Sequence, residues 1–176
     1  MGPGGSEAAR PAGSGESGQV NEAVAAYVER FASVLVAAGF PAMAARVLAA
    51  LHVTDSGRLT AAELSGMLQI SPAAVSGAVR YLSGLGLIHK ERMPGSRRDY
   101  YRMPPNVWDE VVRMQSQVLV RWAKTLAEGV DLVGAQTPAG ERMAQDAAFF
   151  DFMTSEIPAL IARWEASRQA GAFQEP

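Results

Sequence analysis

Apolar residues recur along most of the chain at helical spacing and switch to alternation in one short stretch. Val20, Val24, Tyr27/Val28, Phe31 and Leu35 fall on one face, which predicts an amphipathic helix from about Val20 to Ala38. Gly39-Phe40-Pro41 predicts a corner, with a second helix from Pro41 to His52. Leu64, Met67 and Leu68 mark a third helix, and Val75, Val79 and Leu82 a fourth, from Pro72 to about Leu85. Ile88–Arg92 and Asp99–Met103 then read as two strands around the turn Met93-Pro94-Gly95-Ser96. A long stripe, Val107, Val111, Met114, Val118, Trp122, Leu126 and Val130, predicts a helix to about Val133, roughly 40 Å at 1.5 Å per residue. After a loop over Gly134–Gly140, helix is expected through Met143, Ala147 and Phe150. It should restart at Thr154-Ser155-Glu156-Ile157-Pro158, with Ser155 as cap and Ile157, Ile161 and Trp164 lining the last segment.

The helix ends sharpen the middle of this pattern. Thr60-Ala61-Ala62-Glu63 has the form of a capping box, with Leu59 and Leu64 placed as a hydrophobic staple. Ser71-Pro72 is a second start, an N-cap followed by proline at the first helical position. Two caps so close together force a sharp corner between short helices, and Gly86 is the better C′ candidate for the second. Ala73, Ala74, Ser76, Gly77 and Arg80 fall away from its buried stripe, leaving a small face with one long cation that a major groove can admit. Helix, tight turn, helix and hairpin make the outline of a winged helix-turn-helix. The fold class expected is therefore mainly α, a winged helix-turn-helix with a small β-hairpin wing and a helical dimerisation lobe.

Charge singles out the same stretch. The chain carries a formal net charge of −2. Between Ser71 and Pro104, Arg80, Lys90, Arg92, Arg97, Arg98 and Arg102 face only Glu91 and Asp99, so this part is positive and the remainder strongly acidic. A basic unit on an acidic protein points to a polyanion partner, double-stranded DNA. The residues expected to meet it are Ser71, Ala73, Ser76, Arg80, Lys90, Arg92, Arg97 and Arg98, with Arg80 and Ser76 on bases, Ala73 on the small face where a methyl can touch a thymine methyl, and Ser71, Lys90, Arg92, Arg97 and Arg98 on phosphate or the minor groove.

The stretch LTAAELSGMLQISPAAVSGAVRYLSGLGLIHKERMPGSRRDYYRM resembles the winged-helix core of the MarR family of bacterial transcriptional regulators, and within it the GbsR-like branch with its Gly-Ser-Arg-Arg-Asp-Tyr-Tyr wing. The resemblance implies a homodimeric repressor or activator, with Pro72–Leu85 as recognition helix and Arg97 or Arg98 as wing contact. Many family members carry an Asp-x-Arg wing motif. Here Asp99 follows the arginines, which leaves the choice between Arg97 and Arg98 open.

The expected organisation is a disordered tail over 1–19, an N-terminal dimerisation helix over 20–40, a winged-helix DNA-binding domain over 41–104 and a C-terminal helical dimerisation region over 105–170. The first helix could equally pack on its own subunit. Ala32 to Val53 is long and apolar, but Gly39-Phe40-Pro41 halves it and Arg46 interrupts it, so no membrane span is expected. The tail lacks an apolar run and does not read as a targeting peptide. The chain has no cysteine, which excludes disulfides and thiol chemistry and fits a cytoplasmic protein. No nucleophile–base pair, phosphate loop or metal-ligand spacing is visible, so no catalytic residue, metal or cofactor is expected. Trp108, Met114, Trp122 and Phe150 could line a pocket for a small-molecule effector, although core packing or a dimer interface explains such residues more simply. The competing reading of the whole is a winged-helix protein-interaction module that binds no DNA.

Overall fold

The computed structural model describes residues 14–92 and 98–171, with 14–21 described by backbone alone. The chain divides into two units, Met1–Pro104 and Pro105–Pro176.

The first unit opens with α1 (Ser14–Ala37), which begins well before the expected Val20. The expected tail is thus helical from Ser14, and the rest of it lies outside the described residues. Val28, Ala32 and Leu35 are the buried face of α1, while Tyr27 is exposed and Phe31 half-buried. Gly39, at φ +98°, ends the helix in a left-handed turn, with the Phe40 amide donating back to the Leu35 carbonyl at 3.1 Å. α2 (Ala42–His52) follows and is buried almost all round, from Ala44 through Leu51 apart from Arg46. That burial accounts for the long apolar run. No helix among the described residues is long and apolar enough to cross a membrane.

Arg46 is the polar interruption in α2, and it ties three helices together. Its Nε and Nη2 both donate to Glu29 Oε1 on α1, and Nη2 also donates to the Leu68 carbonyl at 2.9 Å. Leu68 ends α3 (Ala61–Leu68), so one guanidinium fixes α1 and α2 against the corner that follows.

That corner is built as the sequence predicts. The Thr60 hydroxyl accepts from the Glu63 amide at 3.2 Å, and Glu63 Oε2 accepts from the Thr60 amide at 2.7 Å. Ser71 caps α4 (Pro72–Gly84) by accepting from the Ala74 amide at 3.2 Å. Between them Gln69 takes a left-handed conformation, φ 52° and ψ 44°, unusual for a residue with a side chain. The turn is held by Ser65, whose hydroxyl donates to the Ile70 carbonyl at 2.6 Å. Gly86 (φ +72°) closes α4, and Leu87 N–H reaches back to the Leu82 carbonyl. Leu48, Leu51, Leu64, Val75, Leu82, Leu87 and Ile88 form the fully buried centre.

The capping box makes stability depend on pH. The Glu63 carboxyl is held below the usual range, first by the Thr60 backbone N–H, then by the Thr60 hydroxyl, with Arg98 adding its charge. A lowered carboxylate contributes stability above its unfolded pKa of ~4.3 and loses it as pH falls through the folded value. Glu63→Gln is expected to cost about 0.5–1 kcal/mol at pH 7, modest because the carboxylate is exposed. The difference from the parent protein should narrow as pH falls below ~4.3 and close once the folded-state carboxyl is protonated, as read from urea midpoints across a pH series.

The sheet has a strand that the sequence does not announce. β1 (Arg58–Thr60), β2 (His89–Arg92) and β3 (Asp99–Arg102) form an antiparallel sheet in the order β1-β3-β2. Three residues carry no readable period, and the partner of β1 lies far along the chain. Thr60 therefore serves twice, pairing with Tyr100 and capping α3.

The second unit is a helical hairpin of α5 (Val107–Val133) and α6 (Pro138–Gln169). Asn106 occupies the N-cap of α5 without a side-chain bond. Thr137 caps α6, and Gly140 is needed there, since a Cβ would lie 2.1 Å from the Gly134 carbonyl oxygen. The restart expected at Ser155 does not occur: α6 runs through Pro158 unbroken. The Ser155 hydroxyl instead donates to the Phe152 carbonyl within the same helix, at 2.8 Å. Proline removes one backbone hydrogen bond, but packing along α5 holds the helix on both sides of it.

Candidate nucleic-acid interface

On α4 the inward stripe is Val75, Ala78, Val79 and Leu82. Pointing away are Ala73, Ser76, Gly77, Arg80 and Tyr81, all exposed. Ala73, Ser76 and Gly77 are small, so the backbone of this helix can approach another molecule closely, and Arg80 extends beyond them. Ser71 is exposed at the N-terminus of the same helix. No hydrogen bond or ion pair to another described residue occupies Arg80. Tyr81 escapes the sequence reading, although its spacing from Ala73 and Gly77 places it on this face; it presents a ring and a hydroxyl beside Arg80 at 39% exposure.

The strand register sorts the wing's charges onto two faces. Directly paired residues share a face, so Lys90, Arg92, Asp99 and Tyr101 lie on one side and His89, Glu91, Tyr100 and Arg102 on the other. Arg58 joins the second side through β1, its guanidinium 5.5 Å from the Tyr100 ring centroid. This cation is also missed by the sequence reading, because a strand was not expected there. Lys90 is not free: its Nζ lies 2.8 Å from Asp99 Oδ2. Asp99 holds the ammonium above the ordinary lysine range. Across the other face Arg102 Nη1 lies 3.5 Å from Glu91 Oε1. Arg92 is exposed and has no such partner among the described residues. Arg98 is exposed at the foot of β3, and its charge is felt at Glu63. Arg97 lies outside the described residues.

The residues considered for an effector are all on the second unit. Trp122 and Phe150 meet edge to face, with centroids 5.4 Å apart, and Phe149 meets Phe150 in the same way at 5.4 Å. Trp108 sits fourteen residues up α5, about 21 Å away along the axis, with Met114 between. An open groove of about 390 Å³ on this unit is lined by Arg113, Gln117, Asp151, Thr154 and Pro158 among others, and by none of those four.

Two short helices around a left-handed corner, followed by a three-stranded wing, define the first unit as a winged helix-turn-helix. Comparison with known families agrees at both ends of the chain. A MarR family profile matches residues 38–99, and that of the MmpR5-like MarR family transcriptional regulators matches residues 106–167. The chain is a MarR-family winged-helix transcriptional regulator. It is 25% identical over 120 residues to the HTH-type transcriptional regulator MmpR5 of Mycobacterium tuberculosis, covering 68% of this chain and 73% of that one. The crystal structure of a transcriptional regulator shares the fold at a TM-score of 0.67 and 22% identity, over 82% of this chain and 99% of that one. A weaker likeness, TM-score 0.40 at 17% identity, covers 88% of this chain and 86% of Sco3205, a MarR family transcriptional regulator from Streptomyces coelicolor in complex with DNA.

Proposed function

We propose that the protein is a sequence-specific DNA-binding repressor that acts in the cytoplasm as a homodimer on a pseudo-palindromic operator. The observation that carries this reading is the exposed face of α4, small-residued and tipped by Arg80, which has no partner among the described residues, in the one part of an acidic chain that gathers positive charge. Ser76 and Arg80 read base edges, with Tyr81 beside them. Ala73 offers a methyl to that small face, Ser71, Arg92 and Arg98 fix the register on the phosphate backbone, and Lys90 joins them when it exchanges its carboxylate for a phosphate. Arg97 is assigned to the wing tip on the sequence alone. The Gly-Ser-Arg-Arg-Asp-Tyr-Tyr wing supports a place in the GbsR-like branch. The aromatic cluster at Trp122 and Phe150, with Trp108 and Met114 on the same helix, is where a small-molecule effector would be sought. The reading is of a binding protein, not an enzyme.

A salt titration tests it. Random duplex should bind at ~50 mM salt, with log affinity falling linearly in log salt. Arg92→Ala should weaken operator and random duplex alike and flatten that slope by about one unit per wing engaged. Absence of any shift at low salt would return the protein to the interaction-module reading.

A further inference from the structure

The wing is the most cationic part of the chain, yet two carboxylates sit in its middle. Asp99 is paired with Lys90 on one face and Glu91 with Arg102 on the other. These pairs are solvent-exposed, with side-chain accessibilities of 59% and 37% for the first and 48% and 42% for the second. Exposed pairs of this kind add little to stability, so folding does not explain them. Their effect on a phosphate partner is large by comparison. Lys90 must either leave Asp99 to reach a phosphate or carry a negative charge up to the DNA with it. Asp99 also lies directly opposite Arg92 in the register, so the same carboxylate draws on both cations of that face.

We infer that Asp99 and Glu91 act as internal competitors of the DNA phosphates and limit how tightly the wing holds any duplex, whatever its sequence. The inference rests on the DNA-binding reading and goes beyond it by assigning a function to the acids of the interface. The logic is that of specificity under excess competitor. A genome offers about 10⁶ or more non-specific sites, so each increment of sequence-independent affinity withdraws protein from its operator. Base contacts from α4 are spared by such a brake, because the acids stand on the strands.

The test uses the full-length protein and a random duplex across a salt series, with Asp99→Asn, Glu91→Gln and the double variant. Asp99→Asn should bind about three- to tenfold tighter at ~50 mM salt and steepen the log–log slope by about 0.9 for each wing engaged. The double variant should roughly double the change in slope. Asp131→Asn, which removes an exposed acid from α5, should leave both quantities as they are. Thermal melting of each variant checks that the wing still folds, and Glu91→Gln provides an independent reading should Asp99→Asn melt early. Weaker binding by Asp99→Asn would overturn the inference, since Asp99 would then be orienting Lys90 onto the phosphate. Equal tightening by Asp131→Asn would overturn it as well, because bulk charge would be the cause. If the unaltered protein binds and both wing variants bind no tighter, the brake alone is lost. If none of the proteins binds, the DNA-binding reading falls and takes this inference with it.

Discussion

Arg80→Ala is expected to lower the ratio of operator to random-duplex affinity by about 5- to 150-fold for each head engaged. The figure follows from the worth of one good base contact, about 1–3 kcal/mol of discrimination, at roughly 1.4 kcal/mol per factor of ten. Arg80 is the long side chain on a face otherwise made of Ala73, Ser76, Gly77 and the Tyr81 ring, and no described partner holds it back. Its loss should leave the protein's melting temperature almost unchanged, because its side chain is exposed and buries no core area. Affinity for random duplex should fall only by the share of one cation. Competition binding, with labelled operator against unlabelled random DNA, separates the two effects. A variant that loses operator and random affinity by the same factor would show that Arg80 touches phosphate only.

Much of this unit was legible in the sequence because its signals are local. Thr60, Glu63 and Ser71 satisfy backbone groups within three residues of themselves, and Pro72 simply lacks the N–H that the first helical position would leave unbonded, so the order of letters determines the bonds. Gly86 is likewise a local need for positive φ. What the sequence hid depends on partners far along the chain. β1 exists because β3 offers it an edge, and Arg58 joins the wing only through that pairing. A count of cations treats Lys90 and Arg102 as free, whereas the register sets each against an acid. Pro158 shows the reverse failure. A local rule predicted a break, and the length of packing between α5 and α6 overrode it. Tyr81 was missed for a simpler reason: a large ring reads as core until the burial of Val79 and Leu82 fixes which face points outward.

The second large effect concerns assembly. A two-helix hairpin has too little interior to bury all its apolar residues, and α6 shows the surplus. Phe149, Phe152, Leu160 and Trp164 recur at spacings that keep them on one side of the helix, and they are 56%, 62%, 54% and 43% exposed. An apolar stripe some 22 Å long has little reason to face water, and a second copy of the same chain is the partner proposed for it. A glutamate at position 152 would bring two like charges into a two-fold interface with no compensating cation, while an isolated hairpin would tolerate it at an exposed site. Phe152→Glu should therefore be monomeric at about 10 μM by light scattering, with helical content retained in circular dichroism. Operator affinity should drop by 100-fold or more, because a monomer can engage one half-site and forgoes the high effective concentration of the second head. A dimer that persists in Phe152→Glu would place the subunit contact elsewhere, with the exposed Tyr27 and Val34 of α1 as the next surface to substitute.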